Sequence, residues 1–560
     1  MKKLRTIFCI VSLLCLSSFA QKTIRLQGFW EFAVNDSSKY SDFVMLPGSA
    51  QTGGKVWYKK GVYVPLDWRR QRISLSLERL YATAAVYVNG RQVGTDSVHC
   101  APHEYDVSSY IVPGQRNTVA VCVNSLTSRD RNGVFGKMEL RAEAPDLYIR
   151  QLHFRPYPYD GIIHMDLTVG GGDIRYINPV IEVMVQREGQ DTAHIYRKFV
   201  ELKGRHTVLD MPIGSQIALW DEFHPHRYRV GIAMGDNFYE TSIGMRELTV
   251  EGSQLMMNRH PLCLRSIVVD DPLLETSMLS DEQAWLDILK SYQRCGFNHV
   301  RFRGYCPTEA AFAVADRLGM YLQPGGAFSL RQGKRMIDAY GHHPSFVMMA
   351  VDDSMTEGHD PSSVEWLEDI KEYDASRIYC AISPNGRIWD DGSKYNIEEI
   401  FAGQSPKDSI GFPIFYYKDQ IERNLHSTEY AGFQLSDFKW KEEEIPLKQW
   451  TEFCSPIVPL ARFPQYEYTM TDTLVVPLEA CSAYFGEIRS ARASYFICDD
   501  SLKVLSGGQI SVGDLPLGKN INIGSVNYPL DTIPRPGKYY LYVAIGSKAR
   551  NHWEFLVKED

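Results

Sequence analysis

The period of the hydrophobic residues changes twice along this chain, and those changes limit the folds that it can adopt. From residue 24 to about residue 251, apolar and polar residues alternate in short runs that end at turn residues, as in antiparallel strands. After residue 258, strand-like runs alternate with amphipathic helical runs over four units, which is typical of parallel βα packing. Short alternating runs return after residue 456. The sequence therefore predicts a multidomain β plus α/β protein.

Three β-sandwiches and one α/β region account for these patterns. We predict a sandwich over residues 21–145, an immunoglobulin-like β-sandwich over residues 146–252 and a C-terminal β-sandwich over residues 456–560. The Asn89-Gly90 pair in the first of them favours a tight hairpin turn. The α/β region, residues 253–455, is shorter than the roughly 250 residues of a complete (β/α)8 barrel. We therefore expect a barrel with a shortened second half.

Residues 1–20 have the layout of a secretory signal peptide. Lys2, Lys3 and Arg5 precede an apolar run over residues 7–16, and Ser18-Phe19-Ala20 has the small-x-small form of a cleavage site. The run is shorter than the roughly 20 apolar residues of a membrane-spanning helix. We expect export to the periplasm or the extracellular space, with no membrane insertion after cleavage.

Charge and cysteine content argue against several classes of partner. The net charge of −8 disfavours nucleic acid and anionic membranes. The 11 cysteines show neither CxxC pairs nor histidine-rich spacing, so no zinc site, no other metal site and no cofactor is predicted. Most of these cysteines should be buried free thiols, although one or two disulfides could form in an oxidising compartment. The oligomeric state stays open.

Seven motifs carry a family resemblance that extends over nearly the whole chain. They are LPGS at 46–49, WYKKGVYVP at 57–65, YVNGRQVG at 87–94, LWDEFHPHRYRV at 219–230, IGMRELTVEGSQLMMNRHPLCLR at 243–265, GFNHVRFRGYCPTEAAFAVADRLGMYLQP at 296–324 and GHHPSFVMMA at 341–350. Taken in this order they resemble glycoside hydrolase family 2, which includes β-galactosidases, β-glucuronidases and β-mannosidases.

The resemblance implies an architecture, a class of ligand and a place for the site. The first sandwich would be a galactose-binding-like jelly roll, and the α/β region a shortened TIM-type barrel with its site at the carboxyl ends of the strands. The partner would be an oligosaccharide or polysaccharide with β-linkages. Retaining hydrolysis would need two carboxyl groups roughly 5 to 5.5 Å apart.

The expected acid/base of such a site is missing from the sequence. The family presents it as the Glu of an Asn-Glu pair after strand four, where this chain has Asp353 and Ser354. A serine hydroxyl cannot protonate a leaving oxygen at neutral pH as a carboxylic acid does. Because adjacent strand residues point to opposite faces, Asp352 and Asp353 do not form a catalytic pair. Asp353 stays a weak candidate for the acid.

The expected nucleophile, a Glu at the end of strand seven, is also not found. Glu398 and Glu399 lie in YNIEEIF at 395–401, which we predict to be helical and solvent-exposed. Glu429 precedes the last predicted strand of the barrel instead of following one. The sequence therefore predicts that both catalytic carboxylates are lost at the positions that the mechanism requires.

Sugar binding demands only aromatic platforms and a few oriented polar groups, and the chain retains both. The candidate substrate-binding residues lie at predicted strand ends or in the loops that follow: Arg301, Arg303, Asp352, Trp389, Asp437 and Trp440. Arg303 could instead form an ion pair with Asp352 or Asp353, and Trp389 could be packed in the interior. For His342 and His343 we expect structural roles instead of metal ligation.

These observations predict an exported carbohydrate-active protein that binds β-linked glycans and does not cleave them. One alternative is an active retaining β-glycosidase of the β-galactosidase or β-glucuronidase type, which uses Asp353 and an unrecognised nucleophile. The other is a non-catalytic protein-interaction scaffold.

Overall fold

The structure is a computed structural model of the chain. It describes residues 22–559 except 38, 41, 51, 81, 126–131, 173–178, 191–194, 270–280, 327–328, 353–365, 383–387, 390–395, 402–412, 437 and 439–444. Within the strands and helices, the side chains of residues 125, 351–352, 381–382, 388–389, 396, 401 and 413 are not described.

The N-terminal part is a two-layered β-sandwich. Its strands are β1 (Lys22–Arg25), β2 (Gly28–Val34), β3 (Asp42–Leu46), β4 (Gly48–Ser49), β5 (Gly54–Tyr63), β6 (Arg72–Arg79), β7 (Thr83–Val88), β8 (Arg91–Asp96), β9 (His103–Asp106), β10 (Arg116–Ser125) and β11 (Gly133–Glu143). One sheet has the order β3-β2-β5-β10-β7-β8, and the other β1-β11-β6-β9 with β4 beside β11. Asn89 and Gly90 both adopt positive φ between β7 and β8, so the predicted hairpin turn is confirmed.

A second, smaller sandwich follows. Its strands are β12 (Leu147–Tyr157), β13 (Ile162–Gly171), β14 (Val180–Arg187), β15 (Ile195–Glu201), β16 (His206–Pro212), β17 (Tyr228–Met234) and β18 (Asn237–Ile243). They form a three-stranded sheet, β12-β13-β16, that faces a four-stranded sheet, β15-β14-β17-β18. Alternating apolar residues of both sheets share one core, as expected for an immunoglobulin-like sandwich.

The α/β region begins after a short antiparallel meander. The elements are β19 (Leu248–Glu251), β20 (Gln254–Met257), β21 (His260–Leu262), β22 (Leu264–Val269), α1 (Glu282–Arg294), β23 (His299–Phe302), α2 (Glu309–Leu318), β24 (Tyr321–Pro324), α3 (Leu330–Tyr340), β25 (Met348–Asp352), α4 (Leu367–Tyr373), β26 (Ile378–Ile382), β27 (Ile388–Trp389), β28 (Asn396–Phe401), α5 (Pro413–His426), β29 (Tyr430–Ser436) and α6 (Leu447–Trp450).

Seven parallel strands of this region form most of a barrel wall. Hydrogen-bonded neighbours follow the order β28-β29-β22-β23-β24, parallel bridges join β24 to β25, and β25 pairs with β26. The two-residue strand β27 pairs with β26 in the antiparallel direction and contacts β28. A short hairpin strand thus stands between β26 and β28, where a complete barrel would have a further βα unit. The predicted shortening of the second half is confirmed.

The segment YNIEEIF is a strand in the structure, and its predicted helical conformation is wrong. Residues 396–401 form β28, which pairs in parallel with β29 from Asn396 to Phe401. The spacing of Ile397, Ile400 and Phe401 fits one face of a helix, and this misled the sequence interpretation. In chain order β28 comes immediately before β29, the last strand of the barrel. Glu398 and Glu399 therefore lie on a barrel strand and not on a helix.

The chain ends in a third sandwich that packs on the barrel. Its strands are β30 (Ile457–Ala461), β31 (Glu467–Thr469), β32 (Thr473–Ser482), β33 (Ile488–Asp499), β34 (Val504–Leu515), β35 (Gly518–Pro529), β36 (Gly537–Ile545) and β37 (Ala549–Lys558). The sheets are β30-β32-β35 and β31-β37-β36-β33-β34. Lys519 joins this sandwich to the barrel by donating to the carbonyl oxygens of Asn424, Ser427 and Tyr430 at 2.8 to 2.9 Å.

The structure also describes the state of the cysteines and the length of the helices. All nine cysteines that the structure describes are buried, and none of them is part of a disulfide, as the sequence interpretation expected for most of them. Within the described residues, every helix is too short or too polar to cross a lipid bilayer.

Candidate functional site

Glu399 on β28 is the centre of a buried polar cluster inside the barrel. Its side chain is fully buried, although its backbone keeps some exposure. Oε1 accepts hydrogen bonds from Arg303 Nη2 and Ser436 Oγ. Oε2 accepts from Gln434 Nε2 at 3.2 Å and from Arg301 Nη1 at 3.4 Å. The donors on β23, directly after β23 and on β29 therefore converge on one carboxylate of β28.

The alternation of side chains along the strands explains why these residues meet. On β23, Val300 and Phe302 pack outward against the helices, so His299 and Arg301 point toward the barrel axis. On β29, Phe433 and Leu435 pack outward, which leaves Gln434 and Ser436 inside. Glu399 pairs in register with Gln434 and lies on the same face of the sheet. Opposite it, Glu398 points outward and accepts from Asn424 Nδ2 on α5 at 3.1 Å.

The acceptor capacity of the Glu399 carboxylate is filled. An ionised carboxylate has about four lone-pair positions, and here each oxygen accepts two hydrogen bonds. Two of the donors are guanidinium groups, which form ion pairs with the carboxylate. Arg301 is fully buried, whereas 17% of the Arg303 side chain is exposed. Arg303 is thus the member of the cluster that a ligand in the barrel mouth can reach.

A second polar layer surrounds this cluster. His299 Nδ1 lies 2.8 Å from Ser266 Oγ, and Gln323 Nε2 lies 3.4 Å from the Cys380 sulfur. Three buried atoms of the layer and the cluster have no hydrogen-bond partner among the described residues: His299 Nε2, Gln323 Oε1 and Gln434 Oε1. Burial, followed by the Arg301 guanidinium, lowers the pKa of His299 to about 3. His299 is therefore neutral at physiological pH and cannot act as an imidazolium acid.

The structure describes the side chains of some predicted site residues and not those of others. It brings Arg301 and Arg303 together on Glu399. Asp352 ends β25 and Trp389 ends β27, and only their backbones are described. The remaining candidates lie outside the described residues, and their roles stay predictions: Asp353, Ser354, Asp437 and Trp440.

Glu399 is the site residue that the sequence interpretation missed. Its predicted solvent exposure is wrong, and so is the expectation that the strand before the last one carries no carboxylate. Counting strands back from β29 would have placed a glutamate where the family resemblance expects a nucleophile. Arg303 does form an ion pair, and the structure shows Glu399 as a partner. Glu429 is exposed and precedes β29, as predicted.

The two histidines before β25 have structural environments. His343 Nδ1 lies 2.6 Å from Asp316 Oδ2, and its ring stacks on Phe312. Burial lowers the pKa of the neighbouring His342 to about 3. In the part of the chain that the structure describes, no three His, Cys, Asp or Glu side chains are grouped so that they could hold a metal ion.

Comparisons with known proteins agree with this architecture. Residues 21–135 match the family model "Glycosyl hydrolases family 2, sugar binding domain", and residues 472–558 match a domain of unknown function. A β-glucuronidase of Formosa agariphila is 31% identical in an alignment of 484 positions that covers 70% of this chain and 48% of that protein. A β-glucuronidase of Paenibacillus borealis is 23% identical in an alignment of 252 positions that covers 40% of this chain and 41% of that protein. The chain thus spans less than half the length of these curated relatives.

The fold of the chain also resembles that of solved structures. The β-D-mannosidase of Dictyoglomus thermophilum superposes with a TM-score of 0.73 at 12% sequence identity, covering 96% of this chain and 89% of that one. At this identity the likeness shows the fold alone. Together with the matched sugar-binding domain and the relatives above, it identifies the chain as a glycoside hydrolase family 2-like protein.

Proposed function

We propose that this protein is exported, that it binds β-linked glycans at the mouth of its barrel, and that it does not cleave them by double displacement. The observation that carries the proposal is the environment of Glu399. Its carboxylate is fully buried, and four donors fill both of its oxygens. A carboxylate held in this way serves to position the arginine cluster.

Retaining hydrolysis would require a different state of the same residue. A nucleophile needs a lone pair directed at the anomeric carbon, with an acid roughly 5 to 5.5 Å away. To free a lone pair, Glu399 would have to give up one of its four donors inside the barrel. Losing a buried hydrogen bond costs about 1 to 3 kcal/mol, and losing one of the ion pairs costs on the order of 3 to 5 kcal/mol. A ligand that contacts the partly exposed Arg303 leaves the carboxylate and its donors in place.

A retaining β-glycosidase is the second candidate, and one observation favours it. Glu399 lies on the strand before the last one, where the family resemblance places the nucleophile. The acid would then have to come from Asp353 or from another carboxyl group at the mouth. The curated relatives carry the names β-glucuronidase and β-galactosidase, which supports a β-linked glycan as the ligand in either case.

Mass spectrometry with a mechanism-based label separates the two candidates. We expect that 2,4-dinitrophenyl 2-deoxy-2-fluoro-β-D-glucuronide and its galactoside analogue leave the mass of the protein unchanged. Aryl β-glycosides should not turn over, whereas β-linked oligosaccharides should bind saturably in calorimetry. Binding should weaken in Arg303→Ala, because a guanidinium contact to the sugar is lost.

The matched pair Glu399→Gln and Glu398→Gln provides the control. A covalent label on Glu399, with turnover that Glu399→Gln abolishes and Glu398→Gln retains, would establish the hydrolase. If the protein shows neither glycan binding nor turnover, the interaction scaffold is the remaining candidate. Export is tested separately: the chain recovered from the periplasm or medium should begin at Gln21, after the predicted cleavage site.

A further inference from the structure

A strip of aromatic side chains crosses the outer face of the C-terminal sandwich. Phe496 on β33, Tyr542 on β36 and His552 on β37 are paired in register across three adjacent strands. Tyr540 lies two residues from Tyr542 on the same face, and these four residues are called the aromatic strip. The residues that alternate with them are buried in the sandwich core and so direct the strip outward: Ile497, Leu541, Val543 and Trp553.

Two rings of the strip, those of Tyr542 and His552, are held by contacts within the protein. The rings of Tyr542 and His552 are stacked, with centroids 5.0 Å apart and planes 19° apart. His552 Nδ1 lies 2.6 Å from an oxygen of the buried Glu452, whose other oxygen lies 3.3 Å from Arg550 Nε. Glu452 follows α6, so the strip is continuous with the interface between the barrel and the sandwich.

The far end of the strip is flat and accessible. Phe496 is 43% exposed, and its ring lies beside Gly507 on β34. A Cβ atom at residue 507 would come within 2.8 Å of Phe496 Cδ1, so a larger residue there would displace the ring. With adjacent strands about 4.8 Å apart, the row from Phe496 to His552 spans about 10 Å. That length matches about two pyranose units of an extended chain.

The charged side chains beside the strip form ion pairs with acidic residues, which favours an uncharged ligand. Lys538 pairs with Glu554 at 2.9 Å, and Arg550 pairs with Glu452. Because these charges are paired with each other, the strip complements a neutral sugar ring better than a charged polymer. The apolar C–H face of a β-linked pyranose stacks on aromatic rings, and the paired side chains leave polar groups for its hydroxyls.

We propose that the aromatic strip is a second carbohydrate site, which binds neutral β-linked glycan chains independently of the Glu399 cluster. It gives a role to the part of the chain that matches only a domain of unknown function. The proposal goes beyond the proposed function of the barrel, since either site can exist without the other.

Affinity gel electrophoresis tests the strip with soluble xylan, mixed-linkage β-glucan and galactomannan as neutral polymers and polygalacturonate as the charged comparator. We expect at least one neutral polymer to retard the full chain and polygalacturonate to retard it less. Phe496→Ala and Tyr542→Ala should raise the dissociation constant by about tenfold, because each removes a stacking ring. Tyr542→Phe should bind as the unchanged protein does.

Two controls separate this site from the barrel and from a general surface effect. Val475→Ala alters an exposed apolar residue on the opposite sheet of the same sandwich and should leave retardation unchanged. Arg303→Ala should impair the barrel site alone, so retention of polymer binding in that variant supports the strip. If Tyr542→Ala lowers the melting temperature, the test relies on Phe496→Ala instead, because the Phe496 ring is exposed.

Three results would overturn the proposal. One is the absence of retardation by every neutral polymer. Another is retardation that both strip variants retain while Arg303→Ala abolishes it. A third is a change in sedimentation coefficient on strip substitution, which would show that a second copy of the chain covers the strip.

Discussion

Glu399 is the side chain in which the charges of the barrel interior meet. Its two oxygens join Arg301 and Arg303, on β23 and directly after it, to Gln434 and Ser436 on β29. A buried carboxylate is tolerated only when paired and hydrogen-bonded, and here both conditions are satisfied. Around it, His299 contributes an uncharged ring. The residues of this cluster therefore constrain the pH range in which the barrel is stable.

His299 should make the stability of the protein depend on pH in the acidic range. The ordinary pKa of histidine is about 6.5, and in the folded protein the pKa of His299 is lowered to about 3. Between these values the unfolded chain binds more protons, so stability rises with pH and is lost as pH falls below about 6.5. Urea unfolding at pH 7.5 and pH 4.5 measures the loss.

The contribution of His299 to this loss should be about 2 to 3 kcal/mol between those two pH values. His299→Asn, which cannot be protonated, should reduce the loss by that amount. His224 provides the control, because it is exposed beside Asp221 and lies outside the barrel interior, and His224→Asn should not reduce the loss. Equal slopes for His299→Asn and the unchanged protein would contradict the prediction.

At the scale of elements, the first and last strands of the barrel, β22 and β29, pair with each other in parallel. Gly432 on β29 lies so close to β22 that a Cβ atom would come within 2.2 Å of the Leu264 carbonyl oxygen. This contact brings Gln434 and Ser436, farther along β29, to the inner face beside β22. The position of the site thus depends on a residue without a side chain.

Gly432→Ala should destabilise the protein by about 2 kcal/mol or more, because backbone of β22 would have to move. Chemical denaturation followed by intrinsic tryptophan fluorescence measures the change. Gly486→Ala is the matched control, since a Cβ atom at that residue would meet no atom within 4 Å. A loss of stability for Gly486→Ala as large as that for Gly432→Ala would rule out the steric explanation.

Sequence reasoning worked where one local pattern decides the element. The Asn89-Gly90 turn, the strand of Arg301 and the position of Glu429 before β29 all followed from short-range signals. It did not identify β28, because a strand of six residues with apolar residues at 397, 400 and 401 fits a helical period as well. Only pairing with β29, a contact outside the local sequence, selects the strand and buries Glu399.

At the scale of the whole molecule, the C-terminal sandwich supports the strand that carries half of the cluster. The Lys519 ammonium group donates to three carbonyl oxygens between the end of α5 and the start of β29. These are the backbone groups at which the chain turns from helix to strand. Lys519 is thus one of several links between the sandwich and the barrel, together with the hydrogen bonds that Asn551 and Trp553 donate to Glu422 of α5.

Lys519→Met should lower the free energy of unfolding by about 2 to 3 kcal/mol, because three charge-assisted hydrogen bonds to backbone are lost. We also expect faster proteolytic cleavage near residues 424–430, detected by mass spectrometry of the fragments. Lys503→Met, at an exposed position of the same sandwich, should change neither quantity. Cleavage rates that match the unchanged protein would show that the sandwich does not hold this segment.

The antiparallel strand β27 has a consequence for what holds the strand that carries Glu399. Among the described residues β27 pairs with β26 and not with β28, so the hydrogen-bonded wall is divided there into the sheets β24-β23-β22-β29-β28 and β25-β26-β27. Strand β28 is therefore an edge strand of its sheet, and the position of the Glu399 carboxylate depends on backbone pairing with β29.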